Sequence, residues 1–210
     1  MEPFNTVRNF VRQNMQHIAI ILNKITGNSL SPNMITIFGL LAHVPITWLI
    51  AIRHPLWAAL FLVIFGLFDT LDGELARSQN KTTALGMFLD SATDRIKEIM
   101  LYCGMAIFMI DSGASKTTLV VLVAALGISV LTSYLNAWGE VVLTHYSKTK
   151  LHQINQTFRS GLLSFDIRMV LIIIGLVSGR LTIVLYVISI LGFVTVVQRF
   201  TNISQNLKNV

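Results

Sequence analysis

The sequence predicts an all-α membrane protein, with six transmembrane helices preceded by an amphipathic juxtamembrane helix. Three observations predict this fold class. Hydrophobic residues make up 53% of the 210 residues, and the mean hydropathy is +0.67. Charged residues contribute 12%, about half their usual share in a soluble domain. The apolar residues fall into six long runs separated by short polar breaks.

The first predicted element is an amphipathic helix over residues 4–22. Apolar residues recur there every three or four positions, and Arg8 and Arg12 lie between them. The apolar positions are Phe4, Val7, Val11, Met15, Ile18 and Leu22. Such a helix lies on a membrane surface with its apolar face in the lipid. The alternative is a helix that packs on a protein core.

Six apolar runs follow a turn-rich break at residues 26–32 and predict the membrane spans. A span needs about 20 residues, and the fifth run reaches this length only with its polar start included. The runs are Asn33–Ile52, Trp57–Arg77, Ala84–Ile110, Thr117–Leu143, Ser164–Val177 and Leu181–Ile203. We expect one domain over residues 1–210, in which 1–30 form the juxtamembrane helix and turn and 31–206 form a six-helix bundle.

The distribution of basic residues predicts the orientation in the membrane. Six spans would place all but three of the 16 Lys and Arg residues on one side, the exceptions being Arg53, Lys116 and Arg180. Positive charge concentrates on the cytoplasmic side of membrane proteins. We therefore expect both termini in the cytoplasm of a cell membrane. The net charge of +6 then reflects contact with the bilayer surface, and no nucleic-acid partner is expected.

Acidic residues cluster at the predicted cytoplasmic ends of spans two and three. Asp69 and Asp72 are three residues apart, and Asp90 and Asp94 are four apart, so each pair shares one face of its helix. The short link between the spans would bring both carboxylate pairs together on the cytoplasmic side, where an active site is therefore expected. Four carboxylates without a nearby His or Cys form an all-oxygen site that suits one or two Mg²⁺ or Mn²⁺ ions. Arg77 and Arg95 offer an alternative counter-charge.

Small residues accompany these carboxylates. Gly73 follows Asp72, Ala76 lies one turn further along, and Gly86 precedes Asp90 by four residues. Residues without large side chains would let a ligand approach the backbone closely. The alternative explanation for the two glycines is close packing of membrane helices.

The complete pattern resembles the signature of the CDP-alcohol phosphatidyltransferase family. The matching stretch is Asp69-Thr-Leu-Asp72-Gly73-Glu-Leu-Ala76-Arg77, eight residues, Gly86, three residues, Asp90, three residues and Asp94. The entry segment Ser31-Pro32-Asn33-Met-Ile-Thr36 and the six spans extend the resemblance over most of the chain.

The resemblance implies a substrate, a mechanism and a set of roles. Family members are six-helix bundles, usually homodimers, that bind CDP-diacylglycerol or another CDP-alcohol at the cytoplasmic face. Asp69, Asp72 and Asp90 would bind two metal ions, and Asp94 would bind one ion and act as the general base. The positions implied to line the CDP-lipid pocket are Asn33, Thr36, Gly73, Arg77 and Thr83, beside the small residues Ala76 and Gly86.

The acceptor is suggested by a finer resemblance. Asp94-Arg95-Ile96 is similar to the phosphatidylinositol phosphate synthase branch, in which residues matching Ser133, Arg168 and Arg199 hold the phosphate of inositol phosphate. This chain departs from that branch at Asn136 and Trp138, where the branch has cations. Glycerol phosphate or another small polar alcohol therefore stays open as the acceptor, and the two arginines could instead anchor helix ends at the interface.

Two other classes of function can also place carboxylates in a membrane bundle. One is an ion-coupled transporter, although the sequence shows no internal repeat of the kind that many transporters have. The other is a catalytically inactive scaffold that binds CDP-lipid. The four intact aspartates argue against the scaffold, and the position of the carboxylates toward the span ends, where a cytoplasmic nucleotide can reach, argues against the transporter.

Overall fold

A computed structural model describes residues 2–146 and 163–208, and this part of the chain consists of helices joined by short turns. The helices are α1 (Glu2–Thr26), α2 (Pro32–Ala51), α3 (Pro55–Ser78), α4 (Ala84–Asp111), α5 (Lys116–Tyr146), α6 (Phe165–Ser178) and α7 (Leu181–Lys208). The all-α class is confirmed. Each predicted run falls on one helix, and most ends agree within three residues. Lys148, Lys150 and Arg159, three of the predicted cytoplasmic cations, lie outside the described residues.

Four of the described helices are long and apolar enough to cross a membrane: α2, α3, α5 and α7. In α4 the first half carries charged residues, and the longest uncharged run is Ile99–Ile110, with 12 residues. Helix α6 has 14 residues and is about 21 Å long, which is shorter than the hydrocarbon core of a bilayer at about 30 Å. The six spans and the single domain therefore stay predictions. The described residues form two compact units, and the chain passes from the first to the second after Phe108.

Local sequence explains where several helices begin and end. Pro32 and Pro55 occupy the first turns of α2 and α3, where a missing backbone N–H costs little. Gly179 ends α6 in the left-handed conformation with φ of +68°, which a side chain would strain. These signals account for the agreement between the predicted and observed boundaries.

Helix α1 packs on α3 within the N-terminal unit. Met15 and Ala19 are buried in a cluster with Ile35, Leu71 and Leu75. The apolar face predicted for α1 therefore packs partly on other helices. This agrees with the alternative of a helix that packs on a protein core. A second apolar stripe on α1 is exposed and spans about 80° of the helix circumference at 100° per residue. Its members are Phe10, Ile18, Ile21 and Ile25.

Polar contacts fix the end of α1 to the end of α3. The Asn23 amide donates a hydrogen bond of 2.6 Å to the Ser78 hydroxyl. The Gln79 amide donates to the Asn23 side-chain oxygen at 2.6 Å and to the Leu30 carbonyl at 2.9 Å. The turn after α1 is thereby held against the C-terminal end of α3, which carries part of the signature.

Two glycines allow helices to approach closely, one in each unit. A Cβ on Gly104 of α4 would lie 2.6 Å from the carbonyl oxygen of Thr47 in α2. A Cβ on Gly192 of α7 would lie 2.5 Å from the Ile128 side chain in α5. Small residues at helix contacts are characteristic of packing in membranes, where close approach supplies much of the stability.

We expect Gly104→Ala to destabilise the N-terminal unit by about 1–3 kcal/mol, because the new methyl group meets backbone rather than a movable side chain. The measurement is the unfolding midpoint of the purified protein in detergent. Gly66→Ala on α3 is the matched control, since a Cβ there meets nothing within 4 Å. Equal midpoints for the two variants would contradict the packing assignment.

Candidate active site

A cavity of about 270 Å³ in the N-terminal unit brings together most of the predicted site residues. Its walls come from the first turns of α2, the last turns of α3, the link after α3 and the first turns of α4. The predicted residues among its lining are Asn33, Thr36, Asp69, Asp72, Gly73, Ala76, Arg77, Thr83, Gly86 and Asp90. All seven positions assigned to CDP-lipid therefore line one cavity with three of the four aspartates.

Helix α2 contributes a hydroxyl to the carboxylates. Thr36 Oγ1 donates a hydrogen bond of 2.5 Å to Asp72 Oδ2, and both residues are 5% exposed. Gly39, three residues further along α2, lies beside Asp69 and Lys97, and a Cβ there would be 3.8 Å from Asp69 Oδ1. The i, i+3 spacing puts Thr36 and Gly39 on the α2 face that meets the acidic face of α3.

Helix α3 presents its signature residues at intervals of three and four, which place them on one face. The Arg77 side chain folds back over Gly73, and a Cβ on Gly73 would lie 3.3 Å from Arg77 Nη2. The close approach that the sequence predicted at Gly73 is thus made, in this structure, by the guanidinium of Arg77.

Thr83 and Gly86 have structural roles at the start of α4. Thr83 Oγ1 accepts a hydrogen bond of 3.0 Å from the Gly86 backbone N–H, which is the geometry of a helix N-cap. A Cβ on Gly86 would lie 3.3 Å from Thr83 Oγ1 and at an ordinary contact distance of 3.5 Å from Asn33 Oδ1, so packing against α2 does not itself require a glycine here. Both residues also line the cavity. Helix capping and packing are therefore compatible with a binding role at these two positions.

Asp94 is connected to the other aspartates by Lys97. The Lys97 ammonium donates a short hydrogen bond to Asp69 and lies 3.7 Å from Asp94 Oδ1. Lys97 is 1% exposed, so its charge is screened little by solvent. Asp94 does not line the cavity, and it also lies 3.7 Å from Arg95. One buried cation therefore contacts carboxylates from both predicted pairs.

Sequence reasoning had assigned Lys97 only to the cytoplasmic positive charge. The signal that identifies it is its position, because Lys97 lies one turn after Asp94 and only two residues before the uncharged run Ile99–Ile110 of α4. An ionisable residue inside an apolar helix is a candidate functional residue with a named partner. Here that partner is a residue of the signature.

The carboxylates suit a divalent cation by their chemistry. As the side chains are placed, no group of three or more His, Cys, Asp or Glu among the described residues is arranged to hold a metal ion. However, Asp69, Asp72 and Asp90 line the same cavity, and Asp94 Oδ1 is buried without a hydrogen-bond partner in the described part of the chain. Carboxylate oxygens are the ligands that Mg²⁺ and Mn²⁺ prefer, so these residues fit such an ion.

The predicted acceptor residues lie in the C-terminal unit. The Arg168 guanidinium donates hydrogen bonds to Ser133 Oγ at 3.2 Å and to the Leu163 carbonyl at 3.3 Å. Arg199 donates to the carbonyl of Thr132, the neighbour of Ser133, at 2.6 Å. Arg168 and Arg199 are only 1% and 9% exposed, which argues against anchoring at the membrane surface. The structure brings Ser133 and Arg168 into direct contact.

Comparison with known protein families identifies a match over most of the chain. The family model described as CDP-alcohol phosphatidyltransferase matches residues 29–200. The chain is 25% identical over 202 residues to archaetidylinositol phosphate synthase of Pyrococcus horikoshii, covering 96% of this chain and 97% of that protein. It is 27% identical over 177 residues to phosphatidylinositol phosphate synthase of Mycobacteroides abscessus, covering 80% and 75%.

Solved structures share the fold. The crystal structure of Mycobacterium tuberculosis phosphatidylinositol phosphate synthase with CDP-DAG bound matches with a TM-score of 0.75 and 22% identity, covering 90% of this chain and 92% of that one. The same enzyme in complex with manganese and citrate matches with a TM-score of 0.74 and 22% identity, covering 90% and 88%.

We expect Lys97→Met to lower the unfolding midpoint in metal-free buffer by several degrees, because the variant leaves Asp69 and Asp94 without their shared buried cation. Millimolar Mn²⁺ should restore more of the loss than the same ionic strength of Na⁺. Lys116→Met, at an exposed lysine of α5, is the matched control. A midpoint for Lys97→Met equal to that of the control would contradict the role of Lys97.

Proposed function

Because the chain belongs to the CDP-alcohol phosphatidyltransferase family, we propose that it transfers the phosphatidyl group from CDP-diacylglycerol to a small polar alcohol and releases CMP. The observation that carries this proposal is the single cavity that combines three signature aspartates with all seven positions assigned to the CDP-lipid. The match to this family favours the enzyme over an ion-coupled transporter. Four apolar helices, together with the family, indicate an integral membrane protein.

The proposed site binds two divalent cations, either Mg²⁺ or Mn²⁺. Asp69, Asp72, Asp90 and Asp94 would hold them, and the manganese in the related mycobacterial structure supports this choice. Bound metal would neutralise charge on the diphosphate and polarise the phosphorus. Thr36 orients Asp72 through its hydrogen bond, so the carboxylate keeps its second oxygen available.

The chain's own residues supply the proton transfer and the binding contacts. Asp94 takes the proton from the acceptor hydroxyl as that oxygen attacks the β-phosphorus in line. The bond from this phosphorus to the oxygen of CMP breaks, and CMP leaves with the bonding electrons. Arg77 and the small residues Gly73 and Ala76 bind the CDP moiety. No Ser, Cys or His belongs to the predicted cluster, so direct transfer is favoured over a covalent intermediate.

We propose inositol phosphate as the acceptor in phospholipid biosynthesis. The names of the relatives from Pyrococcus horikoshii and Mycobacteroides abscessus support it. The Ser133–Arg168 pair and Arg199 offer buried donors of the kind that phosphate requires. Asn136 and Trp138 replace expected cations, and this observation keeps glycerol phosphate as the second candidate.

The proposed topology has six spans, a juxtamembrane α1 and both termini in the cytoplasm. The exposed stripe of Phe10, Ile18, Ile21 and Ile25 supports an interfacial position for α1, because this stripe lies beside the face that packs on α3. The charge asymmetry supports a cytoplasmic active site. A homodimer is proposed from the resemblance to the family.

We expect Asp94→Asn to reduce turnover by at least ~10²-fold, because the variant lacks both the general base and a metal ligand. Asp69→Asn and Asp90→Asn should have comparable effects through loss of metal ligands. The measurement is CMP released from CDP-diacylglycerol in detergent, with and without Mg²⁺ or Mn²⁺. Asp111→Asn, at the other end of α4, is the matched control. Near-wild-type rates in the first three variants would exclude the proposed site.

We expect inositol phosphate to give faster CMP release than glycerol phosphate or free inositol when each is supplied with CDP-diacylglycerol. Ser133→Ala should raise the KM for the phosphorylated acceptor about tenfold, as expected for one lost hydrogen bond to a charged group. Ser129→Ala, a buried serine one turn earlier, is the matched control. Preference for glycerol phosphate would reassign the acceptor without affecting the donor site.

A further inference from the structure

A second cavity, of about 580 Å³, lies between α1 and α3. Its lining includes Arg12 and Gln16 of α1 and Glu74, Arg77 and Ser78 of α3. Arg77 also lines the cavity that holds the signature aspartates. The Arg77 side chain is therefore shared between the donor cavity and a region lined by α1, and its conformation can respond to both.

Glu74 is the residue that determines this conformation. Its carboxylate accepts two hydrogen bonds from the Arg77 guanidinium, from Nε to Oε2 at 3.2 Å and from Nη2 to Oε1 at 2.6 Å. It also accepts a hydrogen bond of 2.7 Å from Arg12 Nε. The Glu74 side chain is 5% exposed, whereas those of Arg12 and Arg77 are 57% and 48% exposed. A buried carboxylate thus fixes two solvent-accessible guanidiniums.

Arg77 needs such a restraint because Gly73, the residue beneath its guanidinium, does little to limit its conformation. A long arginine side chain has many rotamers, and ordering it on binding costs conformational entropy. Gly73, against which the guanidinium packs, has no side chain to limit those rotamers. The two-point contact with Glu74 holds the planar guanidinium through Nε and Nη2 and leaves the N–H groups of Nη1 for a phosphate.

The second cavity itself is poorly suited to bind another anion. The Glu74 carboxylate lies in its wall and already neutralises part of the arginine charge. A phosphate entering there would have to compete with this carboxylate for the same donors. The contacts therefore favour a positioning role for Glu74 over a second phosphate site.

We propose that Glu74, held in place by Arg12 of α1, is a positioning residue that presets Arg77 for the diphosphate of the CDP-lipid. Docking of α1 on α3 is thereby coupled to donor affinity. The proposal rests on the proposed function, because it assumes that Arg77 binds the donor. Glu74 itself touches neither the acceptor nor the reacting phosphorus.

The test is a double-mutant cycle between Glu74→Gln and Arg77→Gln, read as KM and kcat for CDP-diacylglycerol at saturating acceptor. Glu74→Gln should raise the KM about tenfold while kcat changes less than about threefold, because the variant loses orientation of a binding group rather than chemistry. In the Arg77→Gln background, Glu74→Gln should change nothing further, since its effect acts through Arg77. Lys24→Gln, an exposed cation of α1, is the matched control.

Arg12→Gln provides a second route to the same test if Glu74→Gln does not fold. Arg12 is largely exposed, so its loss leaves the core intact, and it should raise the KM in the same direction by a smaller factor. This increase should also vanish in the Arg77→Gln background. Glu74→Asp, which keeps the charge on a shorter side chain, should recover part of the donor affinity lost in Glu74→Gln.

The outcomes separate this inference from the proposed function. Wild-type protein that releases no CMP from CDP-diacylglycerol would overturn both. An active wild type in which the effects of Glu74→Gln and Arg77→Gln multiply would overturn only the positioning role. A fall in kcat for Glu74→Gln without a change in KM would also overturn it.

Discussion

The need to balance clustered carboxylates in a poorly solvated region governs the N-terminal unit. Ionised aspartates beside apolar helices are stable only when cations or hydrogen-bond donors face them. Lys97 meets this need for Asp69 and Asp94, and Thr36 meets it for Asp72. These partners come from α2 and α4, whereas Asp69 and Asp72 belong to α3. Charge balance therefore joins three helices at the place where the signature residues meet.

Close helix packing makes this arrangement possible. Gly104 lets α4 approach the backbone of α2, and at the other end of the same pair Gly86 lies beside the Asn33 side chain. At the Gly86 end, a cavity remains between the helices, lined by small residues and carboxylates. The absence of a side chain at Gly86 leaves room for a ligand in this cavity, and ordinary contact with Asn33 is compatible with that access. The alternatives of packing and ligand binding at Gly86 do not exclude each other.

The three arginines assigned to substrate binding, Arg77, Arg168 and Arg199, divide into two groups with different surroundings. Arg168 and Arg199 are buried and donate to Ser133 and to the Thr132 carbonyl, which suits recognition of a phosphate away from water. Arg77 is half exposed and depends on Glu74 for its orientation. The reaction proposed above has two anionic substrates, and the contrast between buried and restrained arginines is consistent with separate recognition of each.

Sequence alone determined the helical class and the positions of the apolar helices, because apolar runs are local properties of the chain. The spacing of Asp69, Asp72 and Asp90 put their carboxylates on helix faces, whereas Asn33 was expected in the pocket only from the resemblance to the family. Only the tertiary structure revealed that Lys97 joins Asp69 to Asp94, that Arg77 packs over Gly73, and that Arg12 reaches Glu74. These contacts depend on the rotamers that long side chains adopt at helix interfaces. Arg12 and Glu74 are 62 positions apart, so no local sequence pattern predicts their contact.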